Sequence, residues 1–133
     1  MTATETVHTY FGSLASGDRE KAIGLFHDNI EWWVVPASPF AGLHEGKEAV
    51  LAMLAKAEEL YDPAVPLRIE LINIIAEDDR CAAEARLTRT STGGDEYKNY
   101  YHFLFHCRDD KIVGVKEYFD TLHAQRVLFK PID

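Results

Sequence analysis

Apolar residues in the first half of the chain recur with the period of a helix. One stripe predicts a helix with a single buried face, because it follows the spacing i, i+3, i+4 and i+7: Val7, Tyr10, Phe11 and Leu14. Asp18 is placed to cap a short second helix, whose inner face is Ala22, Ile23, Leu25 and Phe26. A third amphipathic pattern runs through residues 50–61 and is ended by Pro63. The sequence therefore predicts three N-terminal helices.

The second half of the chain changes to the two-residue period of β-strands. An earlier run, residues 30–35, is β-branched and aromatic and ends at Pro36. Four longer runs follow, at about residues 67–77, 81–92, 97–108 and 111–119. Short turns rich in Asp and Gly join them, which is typical of an antiparallel meander. We predict an α+β fold in which the three helices pack on a strongly curved antiparallel sheet, forming a cone with an internal pocket.

Composition and charge narrow the class of partner. The 133 residues, 47% of them hydrophobic, are enough for one domain spanning residues 1–133 with its own core. A formal net charge of -8 argues against nucleic acid, which needs a basic face. No apolar stretch approaches the ~20 residues of a membrane span, and the first residues lack the basic and apolar regions of a signal peptide. We expect a cytoplasmic protein that binds neither nucleic acid nor membrane.

The sequence contains no pattern typical of a metal, cofactor or nucleophile site. Cys81 and Cys107 lie inside strand-like runs without metal-type spacing, and we interpret them as small buried hydrophobic residues. His102 and His106 lie four positions apart on one strand, roughly 13 Å by the rise per residue, which is too far to share an ion. No Gly-rich phosphate loop or nucleophile elbow occurs. We expect no metal and no cofactor.

Two stretches of the chain resemble the nuclear transport factor two-like, or ketosteroid isomerase-like, superfamily. The first contains Tyr10, Gly17-Asp18 and Leu25-Phe26-His27-Asp28, and the second contains Asp110-Lys111-Ile112 and Lys116-Glu117-Tyr118-Phe119-Asp120. The second stretch is similar to SnoaL-like polyketide cyclases and limonene epoxide hydrolases, which carry an acidic residue, Tyr, Phe and Asp there. The resemblance covers nearly the whole chain and implies the cone-shaped fold. It leaves the reaction open, because the superfamily includes isomerases, hydrolases, cyclases and non-catalytic binders.

Glu117 is the first candidate for chemistry. Side chains alternate along a strand, so the last strand places on one face Val113, Val115, Glu117 and Phe119. A carboxylate among apolar neighbours has a raised pKa and is suited to act as a general base or acid near neutral pH. By resemblance, Glu117 falls where limonene epoxide hydrolases keep the aspartate that activates water. Alternatively, Glu117 pairs with an interior arginine, and the sequence leaves both possibilities open.

The second strand of the meander offers Glu84 and Arg86, whose direction depends on the parity of the strand. The alternation itself directs them to water, because the opposite face carries Ala83, Ala85, Leu87 and Arg89. The resemblance implies the reverse: counting back from Glu117 places Glu84 and Arg86 at pocket positions where the hydrolases hold an Arg and an Asp, with the order swapped. In that orientation the pair either orients Glu117 or has a structural role. The sequence leaves the orientation open.

The first strand lacks the residue types that the superfamily uses for catalysis, whereas the first helix has a matching tyrosine. The resemblance places the isomerase base at Val34, and the water-holding Tyr and Asn of the epoxide hydrolases at Trp32 and Val34. Val34 cannot take a proton and Trp32 offers one N–H donor, so ketosteroid isomerase activity is not expected. Tyr10 matches the isomerase tyrosine that donates to an oxyanion, and Tyr101 replaces the companion aspartate. Tyr10 also belongs to the helical core stripe, and both roles are open.

The third strand of the meander predicts an aromatic pocket lining. One face suits a mostly apolar ligand with a polar group, although a packed core has the same pattern: Tyr97, Asn99, Tyr101, Phe103, Phe105 and Cys107. In this superfamily the opposite face often packs against a second subunit, so we expect a homodimer. Asp120 either caps the following segment or acts at the pocket mouth. The apolar tail, residues 121–130, is expected to fold back as a lid or to dock on a partner.

Together these observations predict an enzyme of the SnoaL-like type acting on a small apolar substrate with a polar group. The expected chemistry is acid/base: isomerisation, cyclisation or the addition of water to an epoxide. Glu117 is the expected base or acid, with Arg86, Glu84 and Tyr10 as its catalytic partners. The expected ligand-binding residues are Trp32, Val34, Asn99, Tyr101, Phe103, Val115, Phe119 and Asp120. The alternatives are a non-catalytic binding protein, favoured by the missing base at Val34, and a dimeric interaction protein of the same fold.

Overall fold

The computed structural model describes residues 1–129, which form helices and strands in a mixed order. Along the chain they are α1 (Ala3–Ala15), α2 (Arg19–Gly24), β1 (Phe26–Val34), β2 (Gly42–Glu45), α3 (Lys47–Glu58), β3 (Arg68–Glu77), β4 (Arg80–Thr90), β5 (Glu96–Arg108), β6 (Lys111–Phe119) and α4 (Thr121–Val127). The three predicted N-terminal helices are present, and α4 adds a fourth within the apolar tail. The last predicted tail residue, Lys130, lies outside the described residues.

Side-chain caps determine where three of the helices begin. The backbone N–H of Glu5 donates to Thr2 Oγ1 at 3.1 Å and starts α1. Asp18 caps α2 in the same way through the N–H of Lys21, at 3.1 Å. Asp120 accepts from the N–H of His123 at 3.1 Å and starts α4. Such caps stabilise a helix by about 1 kcal/mol, and here Asp120 turns the chain directly from the last strand into a helix.

The strands form one curled sheet in the order β2-β1-β6-β5-β4-β3. The predicted α+β fold with a curved sheet is confirmed, but the sheet is not purely antiparallel. β1 runs parallel to β6, while the other neighbouring pairs are antiparallel. Register shifts interrupt the pairing of β1 with β6, of β3 with β4 and of β5 with β6. Such bulges increase local twist, so the sheet curls while β2 and β3 remain its open edges.

Two boundaries near the start of the sheet differ from the sequence prediction. Phe26 was expected on the inner face of the second helix, but α2 ends at Gly24 and Phe26 begins β1. The cause is tertiary: the N–H of Ile112 in β6 donates to the carbonyl of Leu25 at 2.7 Å, which takes the chain out of the helix. The loop predicted after Pro36 contains the short strand β2, which pairs with β1.

The core lies between the inner face of the sheet and the helices α1 and α3. In β5 the burial alternates as predicted, with every second residue from Tyr97 to Cys107 buried and the intervening residues exposed. Phe11 of α1 packs on Phe103 and Phe105, with ring centroids 5.9 and 5.8 Å apart. Burying each such side chain contributes about 2 kcal/mol. Among the helices of residues 1–129, none is long and apolar enough to cross a membrane.

Candidate functional site

A cavity of about 170 Å³ lies between the inner face of the sheet and the helices α1, α2 and α3. Its walls are mostly apolar and include Phe11, Leu54 and Phe103. The apolar wall is interrupted at two places by ionisable side chains. One is the carboxyl group of Glu117, and the other is a cluster of Arg19, Glu58 and Arg89, called here the arginine cluster. The cavity therefore offers an apolar body with ionisable groups at two places.

Glu117 is held on β6 with its carboxyl group in the cavity. A register shift between His106 and Cys107 places Ile112 rather than Val113 in the core, but the predicted parity holds from Val115 onward. Glu117 is partly accessible, and it is a wall residue of the cavity. The indole Nε1–H of Trp32 donates to Glu117 Oε1 at 3.2 Å. Within residues 1–129 the carboxyl group has no salt-bridge partner, so the alternative of an ion pair with an interior arginine is wrong.

This environment brings the ionisation of Glu117 close to neutrality. Burial raises the pKa of Glu117 to about 7, and the hydrogen bond from Trp32 opposes the rise only in part. Removal of a carboxylate from water disfavours its charged form, whereas a donor stabilises that form. At neutral pH both protonation states of Glu117 are populated, which is the condition for an efficient general base or acid.

The phenols of Tyr10 and Tyr101 also line the cavity. Burial raises the pKa of Tyr10 far above its usual value, and the charge of Glu117 raises it further. Burial likewise raises the pKa of Tyr101. Both phenols therefore stay protonated at neutral pH and can donate a hydrogen bond. The ring of Tyr10 packs against Phe11 and Phe105, as expected for a member of the core stripe, while its role as a donor to an oxyanion stays a prediction.

Asn99 is connected to the phenol of Tyr101 by hydrogen bonds that pass through Tyr97. Its amide donates to the hydroxyl of Tyr97 at 2.8 Å and to the carbonyl of Asp120 at 3.0 Å, and its oxygen accepts from the N–H of Tyr100 at 2.8 Å. The hydroxyls of Tyr97 and Tyr101 lie 2.7 Å apart. When Tyr97 donates to Tyr101, the amide of Asn99 and the hydroxyl of Tyr97 both have acceptors for their protons. The hydroxyl proton of Tyr101 is then free for a group in the cavity.

Only part of the predicted ligand-binding set reaches the cavity wall. Trp32, Tyr101 and Phe103 line it, together with Glu117 and Tyr10. The other five predicted residues lie elsewhere. Val34 and Val115 are buried in the core, and the side chain of Asn99 is fully hydrogen-bonded within the protein. The ring of Phe119 stacks on Tyr101 with centroids 5.1 Å apart, and Asp120 caps α4. These five residues are not among those that line the cavity, and their contact with a ligand stays a prediction.

Glu84 and Arg86 face away from the cavity, so the orientation implied by the resemblance is wrong. Arg86 Nη2 lies 3.0 Å from Glu70 Oε1 on the outer face of the sheet, and Glu84 is exposed there. The intervening Ala83 and Ala85 are fully buried. A shift of one residue reverses every side chain of a strand, and packing of the alanines in the core selects the opposite parity. Neither residue can orient Glu117 from this position.

The arginine cluster was missed in the sequence. Arg89 follows Ala83, Ala85 and Leu87 on the inner face of β4. Its position in this alternation was the feature of the sequence that could have indicated a buried arginine. Its Nη1 and Nη2 donate to Glu58 Oε1 and Oε2 at 3.1 and 2.9 Å. Arg19 Nη1 lies 3.4 Å from Glu58 Oε1. Glu58 stands at the end of α3, where nothing in the sequence separates it from a surface residue.

The arginine cluster has the opposite effect on its carboxylate from the environment of Glu117. Burial alone would raise the pKa of Glu58, but the hydrogen bonds and charges of Arg89 and Arg19 outweigh it and lower the pKa. The guanidinium of Arg89 stacks on the ring of Tyr61, 4.2 Å from its centroid, which fixes its plane. Among residues 1–129, no group of His, Cys, Asp and Glu side chains is arranged to hold a metal ion.

Helices over one face of a curled six-stranded sheet, with a cavity between them, define the NTF2-like class of proteins. The sequence model of the SnoaL-like domain matches residues 7–126. The chain therefore belongs to the SnoaL-like domain family. No curated protein is significantly similar to it in sequence.

Solved structures agree with this fold over nearly the whole chain. An NTF2-like protein from Burkholderia xenovorans is 24% identical with a TM-score of 0.73, covering 96% of this chain and 98% of its own. TerC, co-crystallised with polyporic acid, is 18% identical with a TM-score of 0.83, covering 96% and 98%. A protein assigned as a SnoaL-like polyketide cyclase from a Jannaschia species is 20% identical with a TM-score of 0.79, covering 98% and 93%. At these identities the likeness concerns the fold alone.

Proposed function

We propose that the cavity binds a small, mostly apolar molecule and that Glu117 transfers a proton on it. The observation that carries this proposal is the carboxyl group of Glu117, which lies in an apolar cavity with one N–H partner and a pKa of about 7. A structural carboxylate is normally paired or left in water. Glu117 is only partly accessible and has no charged partner within residues 1–129, and a catalytic use explains the energetic cost of this arrangement.

The phenols of Tyr101 and Tyr10 complete the proposed chemistry. Glu117 takes a proton from a C–H next to a carbonyl group, or from water, and later returns it. The negative charge that develops on the ligand oxygen is stabilised by a phenol donor, as in other enzymes that form an enolate. Val34 excludes a second base at the superfamily position, so one carboxyl group both removes and returns the proton.

The size of the cavity limits the ligand. Its volume of about 170 Å³ is close to the ~150 Å³ of a protein cavity that accommodates benzene. We therefore infer a ligand with one ring or a chain of similar volume. TerC was crystallised with polyporic acid, which supports a cyclic organic ligand for a protein of this fold without identifying the ligand of this chain.

A thermal-shift screen followed by proton exchange tests the proposal. One-ring ketones and epoxides, such as cyclohexanone and cyclohexene oxide, are expected to raise the melting temperature with concentration, whereas steroids exceed the cavity. In D2O, the protein is expected to accelerate exchange of the protons next to the carbonyl of cyclohexanone. Glu117→Gln should slow that exchange at least 10²-fold, and the exposed control Glu84→Gln should leave it unchanged. Equal exchange by wild type and Glu117→Gln would contradict the assignment of Glu117.

The same screen separates catalysis from binding alone. The absence of a second base at Val34 favours a non-catalytic binder as the second candidate. A ligand that stabilises the protein without any proton exchange would support the binder. Failure of every one-ring compound to stabilise the protein would contradict both candidates.

We further propose that the outer face of the sheet joins two copies of the chain. Its centre carries three neighbouring apolar side chains, Tyr100, Leu104 and Tyr118, that are 57%, 36% and 41% exposed. Exposed apolar patches of this kind are typical of protein interfaces. Light scattering is expected to give the mass of a dimer for the wild type and of a monomer for Tyr118→Lys with Leu104→Lys. A monomeric wild type would contradict this proposal.

A further inference from the structure

The arginine cluster carries hydrogen-bond donors that the fold itself does not use. The Arg89 side chain is 9% exposed, and a guanidinium has five N–H donors. Glu58 accepts two of them. Nε is shielded from solvent and has no partner within residues 1–129. Because Nε is shielded, a ligand does not reach it, and the donors left for a ligand are the second N–H groups of Nη1 and Nη2. A guanidinium that lines a cavity with such donors has the properties of a ligand-binding group.

The charge of the cluster selects the sign of such a ligand. Arg19 and Arg89 contribute two positive charges and Glu58 one negative charge, which leaves one positive charge on the cavity wall. The other carboxyl group on that wall, Glu117, is neutral in its protonated form. Although the whole chain has a net charge of -8, the wall near the arginine cluster is cationic. At the buried guanidinium of Arg89, whose side chain is 9% exposed, this charge is screened less than at the surface and attracts an anion.

The cluster is also rigid enough for recognition. The two-point contact with Glu58 and the stacking on Tyr61 hold the Arg89 guanidinium in one plane. Glu58 occupies the two-point contact of Arg89, and the remaining N–H groups of the guanidinium keep fixed directions in which they form charge-assisted hydrogen bonds with an anionic oxygen. A carboxylate, or the ionised oxygen of an enol or phenol, has this chemistry. An uncharged alcohol or amide does not gain the same charge-assisted bonds.

We propose that Arg89 and Arg19 form a subsite for an anionic oxygen group, and that the ligand of this protein is a one-ring monoanion. This inference rests on ligand binding in the cavity, as proposed above, but not on proton transfer by Glu117. The anionic group of the ligand contacts the arginine cluster, while its ring lies against the apolar wall that leads to Glu117, Trp32 and Tyr101.

Benzoate and benzamide, which have the same shape and differ in charge, test the subsite by titration calorimetry at pH 6. Benzoate is expected to bind at least tenfold more tightly than benzamide. The double variant Arg89→Met with Glu58→Met removes the buried pair and leaves Arg19, whose side chain is 52% exposed, as the remaining cation of the cluster. In it, the preference for benzoate should fall at least threefold, because the buried guanidinium is lost, while benzamide keeps its affinity. The matched control Arg86→Met with Glu70→Met removes the ion pair of the outer face and should keep the tenfold preference.

Each other result has a definite meaning. Equal affinity of the wild type for the two probes, or a preference that is unchanged in the double variant, overturns the subsite while leaving the cavity as a binding site. Binding of neither probe overturns both proposals. If the double variant does not fold, Arg19→Gln replaces it, because the Arg19 side chain is 52% exposed. A two- to fourfold loss of benzoate affinity is then expected, and no loss overturns the subsite. Glu117→Gln should keep the preference, which separates the subsite from the catalytic assignment.

Discussion

Two carboxyl groups line the same cavity and are held in opposite ways. Glu58 receives a two-point contact from Arg89 and a contact from Arg19, and its pKa is lowered. Glu117 receives one indole N–H, and burial raises its pKa to about 7. The difference shows that the fold can pair a carboxylate in this cavity with arginine side chains and does not provide such a partner for Glu117. Glu58 is positioned to stay charged, and Glu117 to exchange a proton.

Removal of the charge of Glu58 should have the largest effect on stability. In Glu58→Met the buried guanidinium of Arg89 loses its counter-charge, and we expect the free energy of unfolding to fall by about 3 kcal/mol. Urea denaturation at pH 7 measures the change. Glu70→Met, which affects the exposed pair with Arg86, is the control and should change stability by less than about 0.5 kcal/mol. A change in Glu58→Met no larger than that of the control would show that the cluster is not a stabilising pair.

Substitution of Glu117 should act in the opposite direction. The pKa of Glu117 is higher in the folded state, about 7, than in the unfolded chain, about 4.3. Its contribution to stability is therefore complete below about pH 4.3 and is lost as the pH rises through 7. Glu117→Gln should raise the free energy of unfolding at pH 8 by about 2 kcal/mol, since the carboxyl group is partly accessible and part of the shift is screened. At pH 4.5 the two proteins should agree, and a constant difference across this range would refute the raised pKa.

The indole of Trp32 should control the pKa of Glu117 directly. The N–H of Trp32 stabilises the charged carboxylate, so Trp32→Phe should raise the pKa of Glu117 by about one unit, which is about 1.4 kcal/mol. An NMR titration of the labelled glutamate side chain measures this. Trp33→Phe is the matched control, because Trp33 packs on Tyr118 at the outer face and has no bond to Glu117. A pKa that is the same in both variants would exclude the Trp32 contact as a cause.

Arg86→Gln should have the smallest effect. Arg86 lies on the outer face with a partly exposed pair to Glu70, so the free energy of unfolding should change by less than about 0.5 kcal/mol and the titration of Glu117 should not move. Denaturation and NMR titration on the same sample check both. A shift in the pKa of Glu117 would show that Arg86 acts on the cavity after all.

Much of the local structure could be predicted from the sequence. The helical stripe from Val7 to Leu14, the alternation along β5 and the inward position of Glu117 follow from the periods of helices and strands. The alternation also predicted that Glu84 and Arg86 lie on the outer face of the sheet, whereas the resemblance implied the inner face. Alternation was the better guide here, because it records the packing of this chain.

The sequence by itself determined the class of fold, the inner face of most strands and the presence of one carboxyl group among apolar residues. Only the tertiary structure decided the parallel pairing of β1 with β6, the end of α2 at Gly24, and the arginine cluster. Glu58 and Arg89 are 31 positions apart and belong to different elements. The period of a strand is a local property of its backbone, whereas an ion pair depends on which helix covers which strand and in what register. For that reason the sequence indicated Glu117, and the structure was needed to find the guanidinium groups that share its cavity.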